Sequence, residues 1–267
     1  MANPTHPVPR HIGVVNWIGV WSLYVKEVRR FMKVYSQTMV APVITTLLFL
    51  AIFSLALGRG TMSVAGVSFA QFLAPGLVMM AMLQNAFANT SSSMMISKLQ
   101  GNIVDILMPP MSPGELTFCY VTAGATRGII VGLVTTLGMW VFVPITIHAP
   151  LYVLFHAVAA SLMLSSLGLI GGIWADKFDH IAALTNFLVT PLSFLSGTFY
   201  TIDRLPPTWQ MLAQINPFFH MIDGFRYGFI GHADSPPMVG VAVMLGVNVV
   251  LWWLCLHMFK TGYKLKA

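Results

Sequence analysis

Residues 39–57, MVAPVITTLLFLAIFSLAL, form a run of nineteen residues without a single charge. At 1.5 Å per helical residue this run is ~28 Å long, close to the ~30 Å hydrocarbon thickness of a bilayer. Five further stretches read the same way: Phe69 to Met95, Leu116 to Val143, Leu151 to Trp174, Ile181 to Tyr200 and Met238 to Phe259. None of the six holds an acidic residue. The whole chain agrees with them: 57% of its 267 residues are hydrophobic and 8% are charged. A soluble domain carries about 25% charged residues, so lipid must solvate much of this surface.

The cations set an orientation. With six spans both termini share one side, which then carries Arg10, Lys26, Arg29, Arg30, Lys33, Lys98, Lys177, Lys260, Lys264 and Lys266. The other side has Arg59, Arg204 and Arg226, and Arg127 falls within a span. The bias predicts cytoplasmic termini and external loops at about 58–68, 144–150 and 201–237. The net charge of +6 comes from these membrane-flanking clusters and is no sign of nucleic acid. No signal-peptide cleavage site follows the short apolar stretch Ile12–Val25, so the mature chain is expected to begin at or near Met1. Cys119 and Cys255 lie inside apolar runs and read as small core residues.

Three segments do not span. From Val14 to Tyr35 the apolar residues recur every three or four positions, while Asn16, Lys26, Arg29, Arg30 and Lys33 take the other side. This predicts an amphipathic basic helix in the headgroup layer, either a plain anchor or a lever that also touches a partner. Ser97-Lys98-Leu99-Gln100 has the form of a capping box, and Leu99, Ile103, Ile106 and Leu107 then share a helical face that Met108-Pro109-Pro110 ends. That stripe needs lipid, the protein's own bundle or a groove on a soluble subunit. Between Thr201 and Pro237 lie two apolar pieces too short to span, the second opened by Asn216 as N-cap and Pro217 at the first helical position. A broken helical hairpin dipping into the outer leaflet accounts for them. Asp223 and Arg226, three apart, are placed where a pair on one helix face can form.

Within the spans, Gln84, Asn85, Asn89, Ser92 and Ser93 make a polar stripe, and Asn186, Thr190 and Ser193 raise the same question in the fifth span. Such groups either glue helices together or face a central path. Arg127, framed by Gly124, Gly128 and Gly132, either pairs with neighbouring helices or meets an anionic substrate group. The chain has no Gly-x-x-x-x-Gly-Lys phosphate cradle, no catalytic constellation and no histidine pair at metal-ligand spacing. Ion coupling usually keeps carboxylates inside the membrane, and here only His156 offers itself. A stand-alone channel or ion-coupled carrier is the competing reading.

The order of these segments resembles the ABC-2-type permease family, from about Trp17 to Tyr263. The strongest stretch is Pro191-Leu192-Ser193-Phe194-Leu195-Ser196-Gly197-Thr198-Phe199-Tyr200, followed by Leu205-Pro206-Pro207, Asn216-Pro217 and Gly224-Phe225-Arg226-Tyr227-Gly228. Phe72-Leu73-Ala74-Pro75-Gly76-Leu77, Gln84 to Ser91, Lys98-Leu99-Gln100-Gly101 and Leu107-Met108-Pro109-Pro110 are similar too. The resemblance implies an all-α bacterial inner-membrane protein. Its parts would be an N-terminal interfacial helix (1–36), a six-helix domain (37–260) and a cytoplasmic tail (261–267). Lys98, Leu99, Ile103, Ile106 and Leu107 would belong to a coupling helix (97–110) on a separate ATPase subunit, present in two copies. The hairpin at 201–236 would be a re-entrant element, with Arg127, Asn216, Pro217, Asp223 and Arg226 structural or gating. A second copy of the chain would close a path past Gln84, Asn85, Asn89, Asn186 and Thr190. ATP and magnesium would sit on the partner and no cofactor on this chain, and the cargo would be an amphipathic or lipid-like compound, drug or saccharide.

Overall fold

The computed structural model describes residues 13–57, 63–64 and 66–265. Arg10, Arg59 and Lys266 of the charge count lie outside them. In chain order the elements are α1 (Trp17–Met32), a π turn (Ser36–Val40) leading into α2 (Ala41–Leu57), a ribbon of β1 (Ser63–Val64) and β2 (Val67–Ser68), α3 (Phe69–Leu99), α4 (Ile103–Leu107), α5 (Pro113–Trp140) and α6 (Pro150–Trp174). Next come α7 (Phe178–Leu184), a second π turn (Thr185–Val189), α8 (Thr190–Leu195), a 3-10 turn (Ile202–Arg204), α9 (Pro207–Ile215), α10 (Pro217–Ile230) and α11 (Pro237–Thr261). Ser63 pairs with Ser68 and Val64 with Val67 in the antiparallel ribbon.

Among the described residues, six helical segments are long and apolar enough to cross a membrane: Ser36–Leu55, Phe69–Leu99, Pro113–Trp140, Pro150–Trp174, Phe178–Leu195 and Pro237–Thr261. They coincide with the six expected spans, with shifted ends. The fifth starts at Phe178 and stops at Leu195, because Gly197 takes a left-handed turn at φ +71°. At 31 residues α3 is ~46 Å long, so it outruns the hydrocarbon.

The centre is a three-helix packing of α3, α5 and α6 made close by small residues. A Cβ on Gly128 of α5 would stand 3.0 Å from Ala86 Cβ of α3 and 3.0 Å from Ser161 Oγ of α6. One on Gly172 of α6 would stand 2.9 Å from both Met94 Cβ and the Ser91 carbonyl of α3. The glycines framing Arg127 therefore serve close approach. The other three spans sit at the periphery. Buried residues make up 78% of the apolar window of α3, 17% of those of the first and sixth spans, and 11% of that of the fifth.

Two real capping boxes start long helices. Ser68 with Gln71 opens α3, and Ser112 with Glu115, followed by Pro113, opens α5. The box expected at Ser97 and Gln100 does not form. Ser97 is still inside α3, where its hydroxyl donates back to the Ser93 carbonyl at 2.9 Å. The chain then reverses at Gly101, whose φ of +74° suits glycine, before α4 begins.

Candidate functional site

α1, α4 and the end of α11 up to Leu265 share one end of the bundle, and α9 and α10 share the other. At the first end, α4 turns Ile103 and Ile106 inward, against Leu116, Cys119 and Tyr120 of α5 and Val20 and Leu23 of α1. Val104, Leu107 and Met108 stay exposed, and Leu99 is exposed on the last turn of α3. The single stripe expected from Leu99 to Leu107 is thus split. The Gly101 turn breaks the helical register, leaving the two isoleucines as roots and the other apolar side chains as an outward knob.

Lys98, expected to meet a partner, is committed within the chain. Its ammonium donates to the Ile173 carbonyl at 2.6 Å and the Ala175 carbonyl at 2.7 Å. The Lys264 ammonium adds bonds to the Trp174 carbonyl at 3.0 Å and to Asp176 at 2.6 Å. Two cations thereby satisfy the orphan carbonyls and negative pole at the end of α6. The bond from Lys264 holds the exposed Asp176 carboxyl below its usual range.

The start of α1 is fastened to the chain just after α4. The Asn16 side chain caps α1 by accepting from Gly19 N at 3.0 Å and donates to the Pro110 carbonyl at 3.3 Å. The Asn16 amide donates to the Glu115 carboxylate, which also serves the Ser112 capping box. Between α1, α3 and α4 lies a cleft of about 570 Å³ walled by Lys26, Arg30, Ser97, Gln100, Asn102 and Asp105.

The polar stripe of α3 holds cations delivered by two other helices. Asn85 accepts from Arg127 Nη2 of α5 at 2.9 Å. One turn along, Asn89 accepts from Arg30 Nη2 of α1 twice, at 2.6 Å on its carbonyl and 2.9 Å on its side chain. Periodicity sets Arg30 among the headgroups. It turns inward because Glu27, 1% exposed, lies 3.2 Å away and shares its charge. Arg127 is the fifteenth of the 28 residues of α5, near the middle of that span. Gln84 and Asn186 are exposed and Thr190 is half-buried, and no hydrogen bond joins Asn186 or Thr190 to the α3 set.

At the opposite end, α10 is wedged among α3, α6 and α11, with eleven of its fourteen residues buried. Asn216 opens it, accepting from Phe218 N at 3.0 Å, with Pro217 at the first helical position. The Asn216 amide also donates to the Leu192 carbonyl at 3.0 Å and to Ser196 Oγ at 2.9 Å, which ties α10 to α8. Arg226 and Asp223 do not pair with each other. Arg226 Nη2 donates to the Gly197 carbonyl at 2.6 Å, and the guanidinium lies 4.0 Å over the Phe72 ring. Gly76 leaves room for it, since a Cβ there would sit 2.9 Å from the Thr198 carbonyl and 3.3 Å from Arg226 Nη2. Asp223 accepts from Asp234 N at 2.8 Å, Ser235 N at 3.1 Å and Ser235 Oγ at 2.9 Å. Burial pushes its carboxyl above the usual range, against those bonds and Arg226. Asp234 in turn accepts from Ile202 N at 3.1 Å. Three quoted motifs, Phe72 to Gly76, Gly197-Thr198 and Gly224 to Arg226, thus meet around one buried cation.

Sequence reasoning missed Glu27, Asp234, and the carbonyl-capping roles of Lys98 and Lys264. A lone acid within the basic stripe of α1 was the available signal for Glu27. His156 also belongs to this packing. Its Nδ1 lies 2.9 Å from the Tyr152 carbonyl, and its ring fills the space a side chain at Gly224 would need.

Comparison with known proteins fits this arrangement. The sequence profile of the ABC-2 type transporter matches residues 19–230. The inner membrane transport permease YadH of Escherichia coli (strain K12) is 37% identical over 251 residues, covering 94% of this chain and 98% of YadH. Nodulation protein J of Rhizobium leguminosarum bv. viciae is 27% identical over 243 residues, 88% of each chain. Nodulation protein J of Rhizobium meliloti (strain 1021) is 27% identical over 239 residues, 86% of each. With the profile spanning most of its length, the chain belongs to the ABC-2 type transporter family.

Proposed function

We propose that this chain is the membrane-spanning permease subunit of an ATP-driven exporter in a bacterial inner membrane, with both termini cytoplasmic. The observation that carries the reading is the knob at α4. Val104, Leu107 and Met108 expose apolar surface beyond the end of a bundle that has outrun the hydrocarbon. Apolar surface in that position asks for a protein partner. The partner is a soluble ATPase, two copies per transporter, which holds ATP and magnesium, because this chain has no phosphate cradle. α4 is the coupling helix, and α1 is an interfacial helix whose exposed Trp17, Ile18 and Trp21 enter the headgroup layer.

A second copy of the chain completes the path. The first and fifth spans are barely covered by the rest of the chain, yet they carry polar residues such as Gln37 and Asn186 on open surfaces. Exposed Gln84 belongs to the same path. On the outer side, α9 and α10 form the re-entrant hairpin that closes the path, and Arg226, Asn216 and Asp223 fix its position. ATP binding draws the two α4 helices together, and the long helices carry that motion outward. The cargo is an amphipathic or lipid-like compound, drug or saccharide.

Leu107→Asp tests the reading. The variant inserts and folds normally, because Leu107 is at the surface, but fails to retain the ATPase on purification and fails to transport. Normal transport by the variant removes α4 from its coupling role. Solute movement by the purified chain alone, without any ATPase, establishes the channel or carrier instead.

A further inference from the structure

Residues 262–265, which follow α11, are built into the fold. A segment after a last helix frays unless something ties it down. Here Gly262 reverses the chain at φ +67°, and Tyr263 N donates back to the Met258 carbonyl at 3.2 Å. Lys264 then holds φ at +53°, the one non-glycine residue at positive φ among the described residues. Such a conformation persists only where the surrounding contacts over-determine it. Leu265, 4% exposed, closes the segment.

Those contacts converge on the root of α4. Leu265 enters the same buried cluster as Ile103 and Ile106 of α4, Ile173 of α6 and Phe259 of α11. The Lys264 ammonium takes the Trp174 carbonyl at 3.0 Å. On either side of it Lys98 takes the Ile173 and Ala175 carbonyls. Asp176 lies 2.6 Å from Lys264 and 4.0 Å from Lys98. The end of α3 leading into α4, the end of α6 and the segment after α11 are thereby joined at one point.

Stability alone is a poor reason for this joint. The Asp176 side chain is 55% exposed, so its ion pair with Lys264 contributes little. A segment kept only for stability would also favour glycine over lysine at a left-handed position. What the contacts do supply is position. α4 hangs from the Gly101 turn at φ +74° and has only two buried side chains, Ile103 and Ile106, to fix its angle. Leu265 completes their cluster, and Lys264 fixes Leu265 in place by tying the segment to α6.

We infer that residues 262–265 form a clip that sets the angle of α4 against α6 and α11, and that Lys264 is a positioning residue for the coupling stroke. The inference rests on the reading of α4 as the coupling helix, and adds the segment that turns its motion into motion of the bundle. With the clip closed, a push on α4 moves α6 and α11. With the clip open, α4 rocks about the Gly101 turn and the push is lost.

The first measurement uses the full chain, purified alone in detergent, and follows amide exchange. Lys264→Gly removes the ammonium while relieving the backbone, so its unfolding midpoint should stay within about 2 °C of the parent's. Exchange at residues 101–108 should nevertheless rise at least about threefold, with the spans unchanged. Leu265→Ser should raise it in the same place, and Lys264→Arg should keep part of the protection. Unchanged exchange at residues 101–108 in Lys264→Gly overturns the clip. So does a rise spread evenly over the spans with a falling midpoint, which is general loosening.

The second measurement uses the chain with its ATPase in lipid vesicles. Exchange in α9 and α10 is compared with and without ATP and vanadate, and in the parent the nucleotide alters it. Lys264→Gly should retain the ATPase and hydrolyse ATP, while this far-end response shrinks at least about threefold. A response of full size overturns the positioning role. A parent chain that retains no ATPase removes the permease reading instead, and the measurement on the chain alone still decides whether the clip exists.

Discussion

The two ends of the bundle handle their polar groups in opposite ways. Around α10 three charged side chains are buried and engaged: Arg226 with the Gly197 carbonyl and Phe72, Asp223 with the turn at Asp234 and Ser235, Asp234 with Ile202. Around α1 and α4 the surface is open, with a large cleft, exposed leucine, valine and methionine, and more cations than acids nearby. One end is finished by the chain itself, and the other is left for something else to finish. Sealed polar networks give rigidity and unique geometry, whereas unsatisfied surface gives binding.

That contrast can be broken most severely at Arg226. Arg226→Ala leaves the Gly197 carbonyl and Phe72 without their cation and should cost roughly 3 kcal/mol, from the charged hydrogen bond and the ring contact together. Arg226→Lys should recover little of it, since an ammonium cannot both stack and reach. The unfolding midpoint of the purified chain measures both. Asn216→Ala removes a helix cap and two bonds to the α8 end, for about 2 kcal/mol in the same measurement.

At the open end the effects should be smaller. Lys98→Ala should cost about 1 kcal/mol, because Lys264 still serves the end of α6. Leu107→Asp should stay within about 0.5 kcal/mol of the parent while losing the partner. The faintest effect is pH-linked. Lys264 depresses the Asp176 carboxyl, so the tie between tail and α6 is present above the usual carboxylate range and is lost as pH falls through the depressed value. Amide exchange in residues 262–265 should rise only in that acid window.

Hydropathy made the six spans legible, because a long uncharged run leaves few alternatives to crossing lipid. The Asn216-Pro217 start of α10 was equally plain, since a cap followed by proline is a local signal. Partner choice was not. Ser97-x-x-Gln100 and Ser112-x-x-Glu115 spell the same motif, yet only the second begins a helix. The difference is that α3 is already running through Ser97, so no free amide awaits its hydroxyl. Spacing put Asp223 and Arg226 on one helix, but each found a better partner in a different loop. Arg30 was assigned to the polar side by periodicity alone, and the buried acid three residues before it was the detail that periodicity could not weigh.

The fastening of α4 has a mechanical reading. Upstream, Lys98 hooks the chain onto the end of α6, and downstream, Pro110 and Glu115 hook it onto the first residue before α1. The short helix is therefore slung between two moorings on different parts of the bundle. A force delivered at Leu107 cannot be absorbed by the loop stretching. In the proposed transporter it would be divided between α6, to which Lys98 is tied, and α1, to which Pro110 and Glu115 are tied, so push along one helix and sweep of the other would arise from the same stroke.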